Sequence, residues 1–205
     1  IILVNKPISD VYRDIYQIPK EKISITNNLF FDPYYGYALK NYTKDIIDTA
    51  ITYVGAGING RMLENLTKEA IKNDINIYGF FLLQTPQIAS GEPWVLGSKE
   101  YLPVLLKLVK TNRLAMWASV DNNCLSYRLS LGNKFFQAMA VGIPVIASKG
   151  TYLSEIIIKY DLGYVYDNSN LIDIIYKMRD NKKYLDVLQS IKDFQIKFFD
   201  NKITL

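Results

Sequence analysis

From residue 49 onward, short apolar runs alternate with longer segments in which apolar residues recur every three or four positions. The short runs are typical of buried strands, and the longer segments of helices with one face against a core. Strands are predicted at 49–55, 75–82, 94–97, 113–120, 143–148 and 163–167. Helices are predicted at 61–72, 98–110, 135–141 and 151–160, with two more near the C-terminus. This alternation predicts an α/β fold with a doubly wound, Rossmann-like parallel sheet and right-handed crossovers.

The first 43 residues have a less regular pattern. The predicted elements are a strand at 1–7, a helix at 9–18 and a strand at 22–27. Pro7 is expected to close the first strand, and Ser9 to cap the helix. The stretch 27–43 has no clean period, and its Asp-Pro and Tyr-Gly steps are typical of a loop or linker. We therefore expect a domain boundary in this stretch.

The predicted sheet indicates where a ligand would bind. In open parallel sheets, ligands lie outside the carboxyl ends of the strands. This rule selects the loops 55–61, 83–93, 97–99 and 121–134.

The first of these loops is rich in glycine. Gly55, Gly57 and Gly60 lie between a predicted strand and a helix that starts at Arg61. Glycine lets the backbone approach a ligand closely, and an arginine at a helix start can bind phosphate. The match to a dinucleotide fingerprint is weak, because the next strand does not end in the acidic residue that binds ribose. A flexible turn without a ligand remains the alternative.

The last of these loops ends in Gly132, Asn133 and Lys134, where a helix begins. The first amides of a helix have no intrahelical partner, so this end can bind an anion. Asn133 suits the N-cap position, and Lys134 suits a phosphate counter-charge. Gly142 is expected to end the helix in the left-handed conformation. The alternative is that the glycine and asparagine only cap a core helix.

Two further segments have candidate side chains. Thr151 can cap the helix at 151–160, and Glu155 lies in its first turns. A glutamate there can contact a ligand or simply compensate the helix dipole. The aromatic run at 30–37 can stack on bases or sugars, or pack a linker against a domain.

Composition narrows the chemistry. The chain has 205 residues, with 49% hydrophobic and 21% charged residues, as in ordinary globular proteins. It has no histidine and one cysteine, so this chain offers neither a histidine base nor an intrachain disulfide. The net charge of +4 suits a phosphate-bearing ligand or an anionic membrane surface, but a slightly basic solvated surface explains it equally well. The basic residues are scattered, so no nucleic-acid partner is expected.

The residues 133–148, NKFFQAMAVGIPVIAS, and 154–167, SEIIIKYDLGYVYD, resemble the donor-domain signature of GT-B glycosyltransferases of the group 1, family 4-like type. Weaker similarity extends over nearly the whole chain. The resemblance implies the C-terminal half of a GT-B fold. Its implied parts are the end of the acceptor domain with a linker at 1–43, a nucleotide-sugar-binding Rossmann-like domain at 44–192, and a C-terminal helix returning toward the acceptor domain at 193–205.

The resemblance also implies roles for individual residues. In the family, amides at the start of the signature helix hold the diphosphate, and a basic residue after the first glycine-rich turn also meets phosphate. Gly132, Asn133 and Lys134 match the amides that hold the diphosphate, and Arg61 matches the basic residue. Gly55 and Gly57, in the glycine-rich turn, are also included among the donor-binding residues. The base would lie against Leu96 and Gly97. Glu155, in the stretch 154–167, is also included among the donor-binding residues.

Two positions depart from the family pattern. Gln137 stands where a glutamate commonly binds the ribose hydroxyls, and a glutamine can still hydrogen-bond a diol without adding charge. Leu129 stands where many retaining members have a glutamate that faces the transferred sugar. The stereochemical outcome and the catalytic residues therefore stay open.

The resemblance implies a metal-independent hexosyltransferase in surface polysaccharide synthesis. Its expected partners are a UDP- or GDP-linked sugar and a glycan or lipid-linked acceptor, with no cofactor. Alternatives are an inactive nucleotide-sugar-binding module and a GT-B sugar-nucleotide epimerase. We expect a cytoplasmic protein, either free or at the inner face of the membrane.

The chain opens with Ile1 rather than methionine, so we interpret it as a fragment. Because most of the acceptor domain would then be missing, we expect the fragment alone to be inactive. Phe194, Phe198 and Phe199 give the C-terminal segment a large apolar surface. We expect residues 1–30 and 193–205 to pack on each other or on a neighbouring molecule, because exposed apolar area is costly.

Overall fold

The computed structural model describes residues 2–3, 5–25, 34–46, 48–57, 60–81, 94–96 and 101–199. Within these residues, six parallel strands form one sheet, and two short strands, β1 and β2, form another. The strands are β1 (Ile2–Leu3), β2 (Ser24–Ile25), β3 (Thr49–Gly55), β4 (Asn76–Phe81), β5 (Trp94–Leu96), β6 (Arg113–Trp117), β7 (Val145–Ser148) and β8 (Gly163–Tyr166).

The order of strands in the larger sheet is β5-β4-β3-β6-β7-β8. This is the 3-2-1-4-5-6 order of doubly wound Rossmann folds, in which the chain runs from the centre to one edge and then returns to the centre. All neighbouring strands are parallel. The predicted fold class is confirmed, and β3 has the predicted bounds.

Helices connect these strands. They are α1 (Lys6–Tyr16), α2 (Tyr37–Asn41), α3 (Leu63–Asn73), α4 (Tyr101–Leu108), α5 (Leu125–Leu129), α6 (Asn133–Val141), α7 (Tyr152–Tyr160), α8 (Leu171–Arg179) and α9 (Asn181–Phe199). The side chains of β6 and β7 are buried along both strands, as expected for a parallel sheet covered on both faces.

α6 is the most enclosed of the crossover helices, with every residue from Phe135 to Val141 buried. It ends at Gly142, whose φ of 83° is left-handed, as predicted. The amides of Gly142 and Ile143 both donate to the carbonyl of Ala138, and Pro144 follows. The next helix, α7, is capped by Thr151, also as predicted.

The start of the chain differs from the sequence-based prediction. α1 starts at Lys6, so Pro7 lies in its first turn and does not close a strand. Proline is tolerated there because its missing N–H would have no helical partner. Asn5, not Ser9, is the N-cap, and its Oδ1 accepts from the Ile8 amide at 3.0 Å. The Nδ2 of Asn5 donates to the Leu129 carbonyl at 2.9 Å, so the cap also fixes α1 to α5.

The stretch predicted as a linker is attached to the sheet domain where it is described. It contains α2, and the Gly36 amide donates to the Oε1 of buried Gln195 on α9 at 2.8 Å. The Tyr34 amide donates to the Ala140 carbonyl on α6 at 2.8 Å. These contacts join residues far apart in the sequence, so the local hydrophobic pattern does not predict them.

The described phenylalanines of the C-terminal helix are covered by their own domain, not by residues 1–30 or a neighbouring molecule as expected. Phe194 and Phe198 are 2% and 3% exposed, so they do not need a neighbouring domain to cover them. Phe194 packs against Phe135 with ring centroids 5.9 Å apart and against Tyr160 at 5.3 Å. α9 therefore covers α6 and α7 of its own domain, while the N-cap of α1 is held by α5.

Candidate functional site

The site lies at the switch point of the sheet, where β3 and β6 are neighbours and their connections leave in opposite directions. A crevice forms there because the loops after the two strands separate, and ligands of doubly wound folds bind in it. The loop after β3 starts at Gly55, and the loop after β6 starts at Ala118. Both belong to the loops selected from the sequence.

The turn after β3 is held by contacts from the β6 side. The Arg61 carbonyl accepts from the Nε1 of Trp117 at 3.1 Å, and the Gly60 carbonyl accepts from the Asp121 amide at 2.9 Å. Gly60 has a φ of 80°, and a Cβ there would lie 2.8 Å from the ring of Tyr127. Glycine is therefore required both by the backbone and by the close approach of Tyr127.

Arg61 is positioned by an aromatic ring. Its guanidinium carbon lies 4.6 Å from the ring centroid of Tyr127, a residue of α5. Such a contact holds the guanidinium without neutralising its charge. The sequence-based prediction read residues 121–132 as loop, so it missed α5 and this tyrosine.

The start of α6 lies opposite this turn. Gly132, not Asn133, is the N-cap, so no side chain caps the helix, and Asn133 is its first residue. A Cβ at Gly132 would meet nothing within 4 Å. The helix end has no side-chain cap, and its positive pole suits an anion.

Lys134 extends from this helix toward β3. Its Nζ lies 4.8 Å from the ring centroid of Tyr53, and a Cβ at Gly55 would be 3.2 Å from it. Burial, with the nearby Arg61 charge, lowers the pKa of Lys134 to about 7. Burial also raises the pKa of Tyr53 to about 12, so this phenol stays neutral beside the lysine.

Arg61, Gly132 and Lys134 meet around one small cavity of about 30 Å³. The other lining residues are Ala118, Val120, Tyr127, Ser130, Phe135, Thr151 and Leu153. No carboxylate lines this cavity in the part of the chain that the structure describes. Two cations and a helix N-terminus around a cavity are arranged to bind an anion.

A larger open cleft of about 960 Å³ adjoins this cavity at Val120. It lies over the ends of β6, β7 and β8 and the start of α3, and Gly57 is part of its wall. Its polar lining residues are Glu64, Asn65, Asp121, Asn122, Asn123, Ser148, Lys149, Asp167, Asn168 and Ser169. This lining offers many hydrogen-bond donors and acceptors next to the cationic cavity.

Gln137 lies deeper in α6 and is 9% exposed. Its Nε2 donates to the hydroxyl of Tyr101 at 2.9 Å, and its Oε1 is buried with no partner among the described residues. Tyr101 opens α4, directly after a segment outside the described residues. No local sequence pattern indicates this pair, because its members are 36 positions apart.

The structure does not gather all the predicted residues at the cavity. Glu155 is exposed on α7 and lines neither the cavity nor the cleft. Leu96 ends β5, paired with Gly79 of β4. Gly97 lies outside the described residues, as do positions 83–93 of the second predicted loop.

Two general features concern metals and membranes. Among the described residues, no group of three or more histidine, cysteine, aspartate or glutamate side chains is placed to hold a metal ion. No helix in the described part of the chain has the length and apolarity needed to cross a membrane.

Comparison with known proteins places this geometry in a fold family. No family model matches the chain, and no curated protein sequence gives a significant match. Among solved structures, it resembles sucrose-phosphate synthase (tll1590) from Thermosynechococcus elongatus, with a TM-score of 0.62 and 17% sequence identity over 96% of this chain. It also resembles WaaG, a glycosyltransferase involved in lipopolysaccharide biosynthesis, with a TM-score of 0.55 and 13% identity over 95% of this chain.

The fold is a Rossmann-like parallel sheet flanked by helices that matches part of these GT-B glycosyltransferases. The chain spans about half the length of these two proteins, 53% of the first and 58% of the second. At these identities the similarity establishes the fold, and the chemistry has to be argued from the site.

Proposed function

We propose that this chain is the nucleotide-sugar-binding part of a glycosyltransferase. The observation that carries the proposal is the convergence of Arg61, Lys134 and the uncapped start of α6 on one cavity at the switch point. Such a site suits the diphosphate of a nucleoside diphosphate sugar, because two cations and the positive end of a helix dipole attract its oxygens. The GT-B fold of the chain supports the same assignment.

The proposed reaction moves a hexose from the nucleoside diphosphate to a glycan or lipid-linked acceptor, in surface polysaccharide synthesis. Arg61, Lys134 and the α6 dipole stabilise the negative charge that develops on the departing nucleoside diphosphate. These groups can supply the charge without a metal ion, so the proposed mechanism is metal-independent. The proposed location is the cytoplasm, either free or at the inner face of the membrane.

The remaining donor contacts are assigned from the resemblance to GT-B glycosyltransferases. We assign the base to the backbone at Leu96 and Gly97, and a ribose hydroxyl to the unpartnered Oε1 of Gln137. Gly55 and Gly57 would let the backbone approach the ligand. Glu155 is the weakest assignment because its side chain is exposed on α7.

The domain division is part of the proposal. We assign 44–192 to donor binding, 1–43 to the acceptor domain and linker, and 193–205 to the returning helix. The acceptor site would lie mainly outside this chain, so the chain alone is proposed to bind donor and to transfer no sugar.

Binding is the direct test. The chain is mixed with a panel of UDP- and GDP-linked sugars, and the shift in melting temperature and the Kd by calorimetry are measured. We expect one base to stabilise the chain, because bound ligand stabilises the native state by mass action. Absence of any shift or heat at millimolar concentration of every donor would refute the proposed function.

A second candidate is a binding module that has lost transfer activity. Leu129, which stands where many retaining members have a glutamate, favours this candidate. So does the lack of a carboxylate around the cationic cavity among the described residues. Hydrolysis of the donor by the full-length protein separates the two functions. Binding without donor hydrolysis or transfer to any acceptor would favour the module.

A further inference from the structure

Lys134 lies in an unusual position for a cation that faces a ligand site. Its Nζ is 4.8 Å from the centroid of the Tyr53 ring, and its last methylene would be 3.4 Å from a Cβ at Gly55. Gly55 has a φ of 144°, which side chains rarely adopt, and its lack of a Cβ also leaves room for the lysine. The lysine is thus enclosed by β3 on one side and reaches the cavity on the other.

Among the described residues, the charged and titratable groups around Lys134 supply no negative charge. Tyr53 lies on β3, Arg61 before α3 and Tyr127 on α5, and α7 contributes only Thr151 and Leu153 to the cavity. No carboxylate forms an ion pair with Lys134 within the ranges that the structure describes. The positive charge of Arg61 opposes protonation of Lys134.

Without a bound anion, this environment disfavours the ammonium form of Lys134. Removal from water and the Arg61 charge lower the pKa of Lys134 to about 7. Near neutral pH, an appreciable fraction of the molecules therefore has an uncharged amine at this position. An anion in the cavity would supply the missing counter-charge and restore the ammonium form.

We propose that binding of a diphosphate beside Arg61 and Lys134 is coupled to the uptake of one proton at the Nζ of Lys134, which lies against Tyr53 with no acidic partner among the described residues. The inference rests on the proposed function and adds its dependence on pH. The proton comes from buffer and joins the lone pair of Nζ, while the diphosphate keeps both of its charges. Tyr53 is a positioning residue, since it holds the amine and does not touch the ligand.

The direction of the pH effect follows from which form binds. The lysine pKa is low in the free chain and higher in the complex, so the protonated chain binds better. Affinity should be full below about pH 7 and fall by up to about tenfold per pH unit above it, until the pKa of the complex is reached. A lysine with its ordinary pKa would give a flat profile over this range.

Calorimetry measures the proton directly. A nucleotide sugar is the probe, because its bridging diphosphate lacks the terminal phosphate that titrates near pH 6. Binding heats are compared at about pH 8 in HEPES and in Tris, which differ in ionisation enthalpy, and at about pH 6 in MES and Bis-Tris. We expect close to one proton taken up at the higher pH and almost none at the lower.

Variants separate this coupling from a purely structural role. Lys134→Arg keeps the charge at all pH values used, so it should bind with no proton uptake and a flat pH profile. Tyr53→Phe keeps the ring and should keep the uptake. If an arginine cannot be accommodated, the pKa of Lys134 in the native chain, followed by NMR of its ¹³Cε with and without ligand, gives the same information.

The outcomes are distinct. Nucleotide sugar binding with no proton uptake at about pH 8 would overturn this inference and leave the proposed function intact. Uptake that persists in Lys134→Arg would assign the proton to another group and also overturn it. Failure of every nucleotide sugar to bind at about pH 6 would overturn both proposals.

Discussion

Lys134 and Arg61 reach one cavity from opposite sides of the switch point, and each lies against a tyrosine ring. The rings hold the two cations near each other without supplying a counter-charge. An empty site with two close cations is electrostatically unfavourable, and an anion relieves that repulsion. At the scale of single residues, the site therefore favours an anionic ligand.

Loss of either cation should weaken binding. We expect Arg61→Ala or Lys134→Ala to reduce the affinity for a nucleoside diphosphate by roughly 1.5–3 kcal/mol, about 10- to 150-fold, the range for charge-assisted hydrogen bonds. Calorimetry at about pH 6 gives the Kd, and thermal unfolding without ligand should change little. Lys68→Ala on the exposed face of α3 is the matched control. Unchanged affinity in both cavity variants would contradict the phosphate assignment.

A second residue-scale prediction concerns Gly163, which starts the edge strand β8. Its φ is 152°, and a Cβ would lie 2.1 Å from the Val145 carbonyl oxygen on β7. We expect Gly163→Ala to destabilise the fold by about 2–4 kcal/mol, from backbone strain plus overlap with a neighbouring strand.

Urea unfolding measures this effect. Gly150→Ala is the comparison, because Gly150 also has a left-handed φ of 79°, yet its Cβ would meet only Asn122 at 3.6 Å. It should cost roughly 1 kcal/mol, the strain alone. Equal costs for the two variants would show that overlap with β7 contributes nothing.

At the scale of elements, α9 is fastened to the rest of the domain through Gln195. The fully buried side chain accepts from the Gly36 amide before α2 and donates to the Met139 carbonyl on α6. One glutamine therefore joins three segments that are far apart in the sequence.

We expect Gln195→Leu to destabilise the chain by about 2–4 kcal/mol, because it leaves two buried backbone groups unpaired. The free energy of unfolding in urea measures this. Gln189→Leu, on the exposed face of the same helix, makes the same chemical change where only an exposed contact with Asp193 is lost. Similar stabilities of the two variants would mean that water replaces the lost partners.

At the scale of the whole molecule, α9 completes the core. Phe194 and Phe198 are buried and stack on each other with centroids 5.2 Å apart, and Phe198 also stacks on Phe136 of α6. Burial of a phenylalanine side chain contributes roughly 3–5 kcal/mol against truncation to alanine.

A chain that ends at residue 192 should therefore lose cooperative unfolding, since the summed loss is comparable to the whole stability of a domain, about 5–15 kcal/mol. Circular dichroism and urea titration test this. A chain that ends at residue 199 keeps both rings and is the control. A sharp unfolding transition in the shorter chain would show that the six-stranded sheet is stable without the end of α9.

The alternation of strands and helices could be predicted from the amino-acid pattern alone. Apolar runs such as 49–55 mark buried parallel strands, and Gly142 and Thr151 mark helix ends through local backbone chemistry. These signals are local, so they can be read within a few residues. The selection of the loops after β3 and β6 followed from the fold rule and needed no coordinates.

Only the tertiary structure decided which side chains meet. The contacts of Arg61 with Tyr127, Lys134 with Tyr53 and Gln137 with Tyr101 join positions tens of residues apart, so no local pattern encodes them. The start of α1 at Lys6 depends on the Asn5 cap, whose side chain also donates to the Leu129 carbonyl on α5. Burial of Lys134 is likewise a property of the assembled sheet and helices. Its lowered pKa arises because folding removes the amine from water and places Arg61 beside it.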